Sequence, residues 1–274
     1  MATSSRTIVW IASYPKSGNT WLRFLASNLL FGRQESAAAL NDLVPDVHEL
    51  GAAFTVPTER RLLKTHFTCV PRLQPLLPYT AAAVYVVRNP ADVLVSNYHY
   101  SLRTGNTAPL RLADYAHSFI ANRGDPRWAQ LGMGTWDENV RSWWRTDLPF
   151  PVLRLKYEDI LADPAAGARA LSELLGKTSS PEEIARVVKD SSFNRMRQIE
   201  EADIRAKRVG IFYKPYLQSS IDSGMRFMRG GRAGDAAEAL SEDQKANVVR
   251  AFSPLLQELG YTNSVSGSRV PGRH

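Results

Sequence analysis

The octet Tyr14-Pro15-Lys16-Ser17-Gly18-Asn19-Thr20-Trp21 gathers a lysine, two hydroxyls and a glycine between two apolar runs. The run before it, Ile8-Val9-Trp10-Ile11-Ala12, is continuous enough to fill a buried strand. The run after it, Trp21 to Phe31 closed by Gly32, has the pattern and terminal glycine of a helix. A strand, a tight loop and a helix start make an anion cradle. The first-turn N–H groups of a helix have no partner inside it, and its dipole favours negative charge. Lys16 adds a full positive charge, and Ser17 and Thr20 add hydroxyl donors. These residues call for a phosphate-bearing ligand. In the nucleoside-triphosphate loop G-x-x-x-x-G-K-[ST] the lysine follows the last glycine. Here it precedes Gly18 and no glycine lies upstream in the loop, which argues against ATP held in that way.

A second segment repeats the arrangement. Val84-Tyr85-Val86-Val87 runs into Arg88-Asn89-Pro90, and a helix pattern follows to Tyr100. Arg88 then stands at the carboxyl end of a strand, where open α/β sheets bind ligands, and a guanidinium there can grip a phosphate bidentately. Ser96, almost two turns further on, can face the same pocket. The competing structural reading pairs Arg88 with Asp92. Between the two segments, Leu63-Lys64-Thr65-His66 closes another apolar run. An unperturbed imidazole titrates near about pH 6.5 and can accept a hydroxyl proton as a new bond forms, a contribution of about 10²–10⁴-fold. His48, His99, His117 and His274 have no comparable sequence setting. Trp21 reads either as core or as a face for adenine. Trp136, Val140 and Trp143, at helical spacing, read as a packing stripe.

Tyr-Pro-Lys-Ser-Gly-x-Thr-Trp resembles the 5′-phosphosulfate loop of the cytosolic-type sulfotransferases, which use 3′-phosphoadenosine 5′-phosphosulfate (PAPS) and release the bisphosphate PAP. The resemblance implies that Lys16, Ser17, Gly18, Asn19, Thr20 and Trp21 contact that cofactor. R-N-P-x-D-V-x-V-S-x-Y-H resembles the family's 3′-phosphate site, which implies Arg88 and Ser96 as its grip. Leu63 to His66 resembles the K-T-H strand end. Lys156-Tyr157-Glu158-Asp159 resembles the Y-E-D segment, which puts Tyr157 on the nucleotide. Ser191-Ser192-Phe193 to Met196 resembles T-S-F-x-x-M, implying Ser191 and Phe193 at adenine. The stretch from Phe227 to Asp235 resembles F-M-R-K-G-x-x-G-D, implying Phe227, Met228, Arg229, Gly230 and Gly231 around the 3′-phosphate. Gly230 replaces the usual lysine, leaving Arg229 or Arg232 to supply that contact, and Ala236 stands where tryptophan is common. The wording around Trp10 to Lys16 and Trp136 to Trp143 resembles bacterial antibiotic-tailoring sulfotransferases, the glycopeptide-sulfating enzymes among them.

The implied reaction is in-line transfer of a sulfuryl group to a hydroxyl, phenolic in kind, of a small-molecule or peptide natural product. Such transfer is mostly positioning and electrostatics. The implied catalytic residues are Lys16 at the leaving 5′-phosphate, Lys64 at the sulfuryl oxygens, His66 as general base, and Ser96. No metal is called for, and no His/Cys/carboxylate cluster has metal-ligand spacing. An ATP-dependent small-molecule kinase on the same scaffold and a non-catalytic nucleotide-binding protein are the alternatives.

Elements must position these groups. Ile8–Ala12, Arg61–Thr65, Ala83–Val87 and Val152–Leu155 read as strands, and mostly continuous apolar runs suit parallel strands covered on both faces. Asn89-Pro90, Asp163-Pro164 and Ser180-Pro181 place a capping side chain before a proline at the first helical position. With capping boxes at Thr135 and Ser241, helices are expected over about 90–102, 136–146, 164–175, 181–189 and 242–259. Alternating strands and helices argue for a three-layer α/β/α sandwich with a central parallel sheet, P-loop-NTPase-like, as one domain over 1–274. Stretches 33–60, 104–134 and 205–226 lack a pattern and suit lids or acceptor loops, and Ser264–His274 reads as a frayed tail.

Composition narrows the setting. One cysteine, Cys69, among 274 residues forbids an internal disulfide and fits a reducing, cytoplasmic compartment. No apolar run approaches the roughly 20 residues a membrane span needs, and Ile8–Ala12 is too short for a signal peptide. A net charge of +7 invites nucleic acid as a partner, but the cations are scattered and no basic block interleaves with aromatics. A deep site for a polyanionic small molecule accounts for part of the excess. Oligomeric state is left open, a homodimer included.

Overall fold

The computed structural model describes residues 6–51, 54–105, 111–231 and 233–261. Four strands, β1 (Ile8–Ser13), β2 (Arg61–Thr65), β3 (Thr80–Val87) and β4 (Val152–Lys156), pair in parallel in the order β2-β1-β3-β4. Side chains alternate along β1. Ile8, Trp10 and Ala12 enter one buried cluster, while Val9 and Ile11 enter another on the opposite face. The sheet is therefore covered on both sides, and continuous apolar runs are what such strands need. Register puts Ala12 beside Thr65 and Tyr85, and Val87 beside Lys156, so the four carboxyl ends lie along one edge.

Fourteen helices flank the sheet in the described residues: α1 (Asn19–Phe31), α2 (Ala39–Leu43), α3 (Val47–Leu50), α4 (Pro90–Thr104), α5 (Leu112–Ala121), α6 (Pro126–Gln130) and α7 (Trp136–Trp144). After β4 come α8 (Tyr157–Ala162), α9 (Pro164–Leu174), α10 (Pro181–Asp190), α11 (Phe193–Arg205), α12 (Gln218–Asp222), α13 (Asp235–Ala239) and α14 (Glu242–Glu258). The expected caps are made: Asn89, Asp163 and Ser180 accept first-turn N–H groups, and Thr135 and Ser241 close capping boxes. The five expected helices form, each within two residues of its expected ends. β3 starts at Thr80, three residues before Ala83, because Thr80 and Ala82 also pair with β1, with the register shifting past Ala81 between them.

The unpatterned stretches are more ordered than expected. Stretch 104–134 holds α5 and α6, and 33–60 and 205–226 hold short helical turns. Helix α11 is polar and buries only Met196, Ile199, Glu200 and Asp203, so no apolar stripe announces it. The tail at 264–274, positions 106–110 and Arg232 lie outside the described residues. No described helix is long and apolar enough to cross a membrane.

Candidate active site

Each strand delivers a polar side chain to the same edge. β1 leads to Lys16, β2 to Lys64 and His66, β3 to Arg88 and β4 to Tyr157, and all of these line one cavity of about 480 Å³.

The loop after β1 forms the first part of the wall. Gly18 precedes α1 at φ 105°, in the left-handed region, and no side chain caps the helix there. No side chain therefore takes up the first-turn amides of α1, a setting that suits an anion. A Cβ on Gly18 would come within 2.7 Å of the Tyr157 ring, so both the turn and the close approach need glycine. Asn19 fastens the loop by donating to the Ile11 carbonyl at 3.1 Å and to Ser13 Oγ at 3.3 Å. The Ser17 hydroxyl is buried with no hydrogen-bond partner among the described residues. Lys16 Nζ rests 4.4 Å from the Tyr100 ring centre and 4.3 Å from that of Phe227. Burial, then repulsion from Arg103, Arg88 and Arg229, pulls Lys16 down to about 7. Buried cations that repel one another, beside open helix amides, fit a polyanionic ligand, whereas Ser17, fully buried, is not on the cavity wall.

Arg88 makes the structural pair and also reaches the cavity. It lines the cavity, lies 4.5 Å from the Tyr157 ring centre, and pairs with Asp92 at 3.5 Å. Trp21 meets Tyr157 edge-on at 5.6 Å, and Trp21, Thr20 and Ser96 also line the cavity. The segment 227–231 closes over them. Phe227 and Met228 donate their amides to Glu200 at 2.6 and 2.9 Å, and Gly234 and Ala236 donate theirs to Asp92, both at 2.9 Å. Gly231 has φ 63°, and a Cβ there would fall 2.0 Å from the Phe193 ring. Phe193, Met228, Arg229 and Gly230 are on the wall, with Arg229 paired to Asp235. Ser191 is not. It is fully buried and accepts from Asn28 at 2.8 Å, so its hydroxyl ties α1 to α10 and the expectation that it touches adenine is corrected.

The remaining wall carries a cluster of titratable groups. His66 Nδ1 lies 2.7 Å from the Ser13 carbonyl, which can only accept, so Nδ1 holds the proton and Nε2 keeps its lone pair. Burial, Lys64, His48 and Lys16 hold this imidazole well below its usual range, hence neutral at pH 7. Lys64 Nζ is 2.6 Å from Asp46, and burial lowers the lysine while Asp46 opposes that shift. His48, given no role by sequence, sits in the site: its Nε2 accepts the His66 backbone N–H at 2.8 Å. Burial and Lys64 hold His48 down to about 4. Asp46, His48, Tyr100 and Arg103 were unmarked by any motif, although Arg103 continues the helix that begins after Arg88. The three unpatterned stretches all reach the wall, through His48 and Glu49, Leu131 and Met133, and Lys214 and Tyr216. Glu49 and Lys214 join two of them at 3.1 Å. No group able to hold a metal occurs among the described residues.

The family model described as sulfotransferase domain matches residues 6–260. Sulfotransferase 1B1 of Mus musculus is 29% identical over 200 residues, covering 69% of this chain and 64% of that protein. Sulfotransferase 1A1 of Bos taurus is 29% identical, covering 82% of this chain and 75% of that one. For sulfotransferase 2A1 of Rattus norvegicus the figures are 27%, 90% and 82%. Retinol dehydratase, solved with retinol and PAP, superposes with a TM-score of 0.68 at 22% identity, over 93% of this chain and 82% of that one, a likeness of fold. The expected closeness to antibiotic-tailoring, glycopeptide-sulfating enzymes is corrected, because the relatives found are mammalian sulfotransferases. The wording that suggested it serves packing: Trp10, Trp136 and Trp143 are fully buried core.

Proposed function

The chain belongs to the sulfotransferase family, and from that premise we propose that it moves a sulfuryl group from PAPS to the hydroxyl of a small-molecule acceptor, phenolic in kind. One observation carries the reading: a single cavity joins buried, mutually repelling cations to a neutral imidazole with an uncommitted Nε2. PAPS, when bound, supplies the sulfuryl group and a stable leaving bisphosphate. Lys16, Thr20 and the amides opening α1 would hold the 5′ end, and Arg88, Ser96 and Arg229 the 3′-phosphate. Gly18, Trp21, Tyr157 and Phe193 would shape the nucleotide's flat surfaces.

His66 accepts the acceptor's proton at Nε2, with Nδ1 anchored on Ser13. Burial and then neighbouring cations make it a weak base, and an anion bound beside Lys16 offsets the cations. Lys64, held by Asp46, keeps a positive charge where sulfuryl oxygens need one. Apolar Leu131, Met133, Ile211 and Leu217 on the wall suit an acceptor with a flat apolar body. The lysine loop between β1 and α1 supports likeness to P-loop sandwiches, with the chain acting as one domain. A lone buried cysteine suits a cytoplasmic location.

Replacing His66 by alanine is expected to cut turnover of PAPS with phenols by at least about 100-fold while calorimetric PAP affinity persists. Full activity would remove His66 from the reaction. ATP binding tighter than PAP would turn the reading to a kinase.

A further inference from the structure

The backbone N–H of His48 and one of its ring nitrogens are committed. Its backbone N–H donates to Asp46 Oδ1 at 3.0 Å, which caps α3, and the other Asp46 oxygen holds Lys64. Its ring lies against Phe67, with centres 4.0 Å apart. Its Nε2 receives the His66 backbone N–H, a group that can only donate, so the neutral ring carries its proton on Nδ1. No protein hydrogen bond to that Nδ1–H occurs among the described residues, and His48 lines the cavity. His66 is its complement: there the N–H is spent on Ser13 and the lone pair remains. Both rings line the same cavity, with their centres 5.8 Å apart and tilted by 35°.

We propose that His48 is a second substrate-contacting histidine, donating from Nδ1–H to the oxygen of the same acceptor hydroxyl whose proton passes to His66. This rests on the sulfotransfer reading above. A hydroxyl oxygen has two lone pairs. One forms the bond to sulfur, the other accepts from His48, and the O–H points at His66 Nε2. His48 keeps its proton throughout and stabilises negative charge growing on the oxygen.

The test uses two variants that separate the ring's two nitrogens. His48→Gln places an amide oxygen near Nε2, keeping the grip on His66 and losing the Nδ1 donor. His48→Asn places an amide N–H near Nδ1 and loses the grip. With PAPS and 2-naphthol, His48→Gln is expected to lower kcat/KM by about 10- to 100-fold with PAP affinity unchanged within about twofold, while His48→Asn retains several-fold more activity than the glutamine variant. A glutamine variant at wild-type activity, with asparagine the damaged one, would overturn the inference and leave His48 a support for the His66 backbone. Wild-type protein that turns over no hydroxyl in a panel of phenols, sugars and nucleosides would overturn the sulfotransfer reading and this inference with it.

Discussion

Lys16 is surrounded by Arg88, Arg103 and Arg229 and buried between Tyr100 and Phe227, so its proton is held loosely at about 7. An anion beside it reverses that balance. The sign follows: the bound form has the higher pKa, so binding takes up a proton between about pH 7 and the ordinary lysine range, and affinity falls as pH rises through that window. Calorimetry of PAP binding in buffers of different ionisation heat should show net proton uptake at pH 8; none would place Lys16 away from the phosphate. Arg88→Ala should weaken PAP by about 100-fold and adenosine 5′-phosphate only slightly, since a bidentate charge-assisted contact is lost only with the former. Equal losses would mean that Arg88 serves the fold through Asp92. Lys16 and Arg88 are legible in sequence because each lies in the short link between an apolar strand and a helix start. His48 and Asp46 are not, because their place is made by contact across the fold: Asp46 bridges to Lys64 eighteen positions on, through a side-chain pair no periodicity records.

At the level of elements, the strand–loop–helix unit β1–α1 depends on the absence of a side chain at one position. Gly18→Ala would have to hold φ 105° and displace the Tyr157 ring, so unfolding in urea should show a loss of about 1–3 kcal/mol, with weaker PAP binding. Unchanged stability would show that Tyr157 can swing aside freely. Elements whose ends are marked by a cap and a proline, α4, α9 and α10, are readable to within a residue or two. α5 and α11 escape for a different reason. α5 begins without a side-chain cap, and α11 buries carboxylates, Glu200 and Asp203, where a reader looks for apolar residues. Those carboxylates hold loops rather than fill a core: Asp203 takes the Ala37 amide and Ser36 hydroxyl, and Glu200 takes Phe227 and Met228.

Across the whole molecule, the larger cluster, on one face of the sheet, encloses Cys69, whose thiol burial pushes up to about 12. Reductant should leave the melting temperature unchanged, and a thiol reagent should label Cys69 only at the rate of opening; fast labelling of native protein would mean the cluster around it is loose. The segment from Phe227 to Ala236 has a further consequence. It is slung between two carboxylates from distant parts of the chain, Glu200 on α11 and Asp92 on α4, and the second of these also faces Arg88. Its four anchored amides should therefore exchange with deuterium as slowly as those of a helix, although they belong to none of the long ones. Were the nucleotide to leave past this segment, one anchor would have to unhook first, and a burst of product before steady turnover would mark departure of the spent bisphosphate, rather than bond-making, as the pacemaker of the cycle.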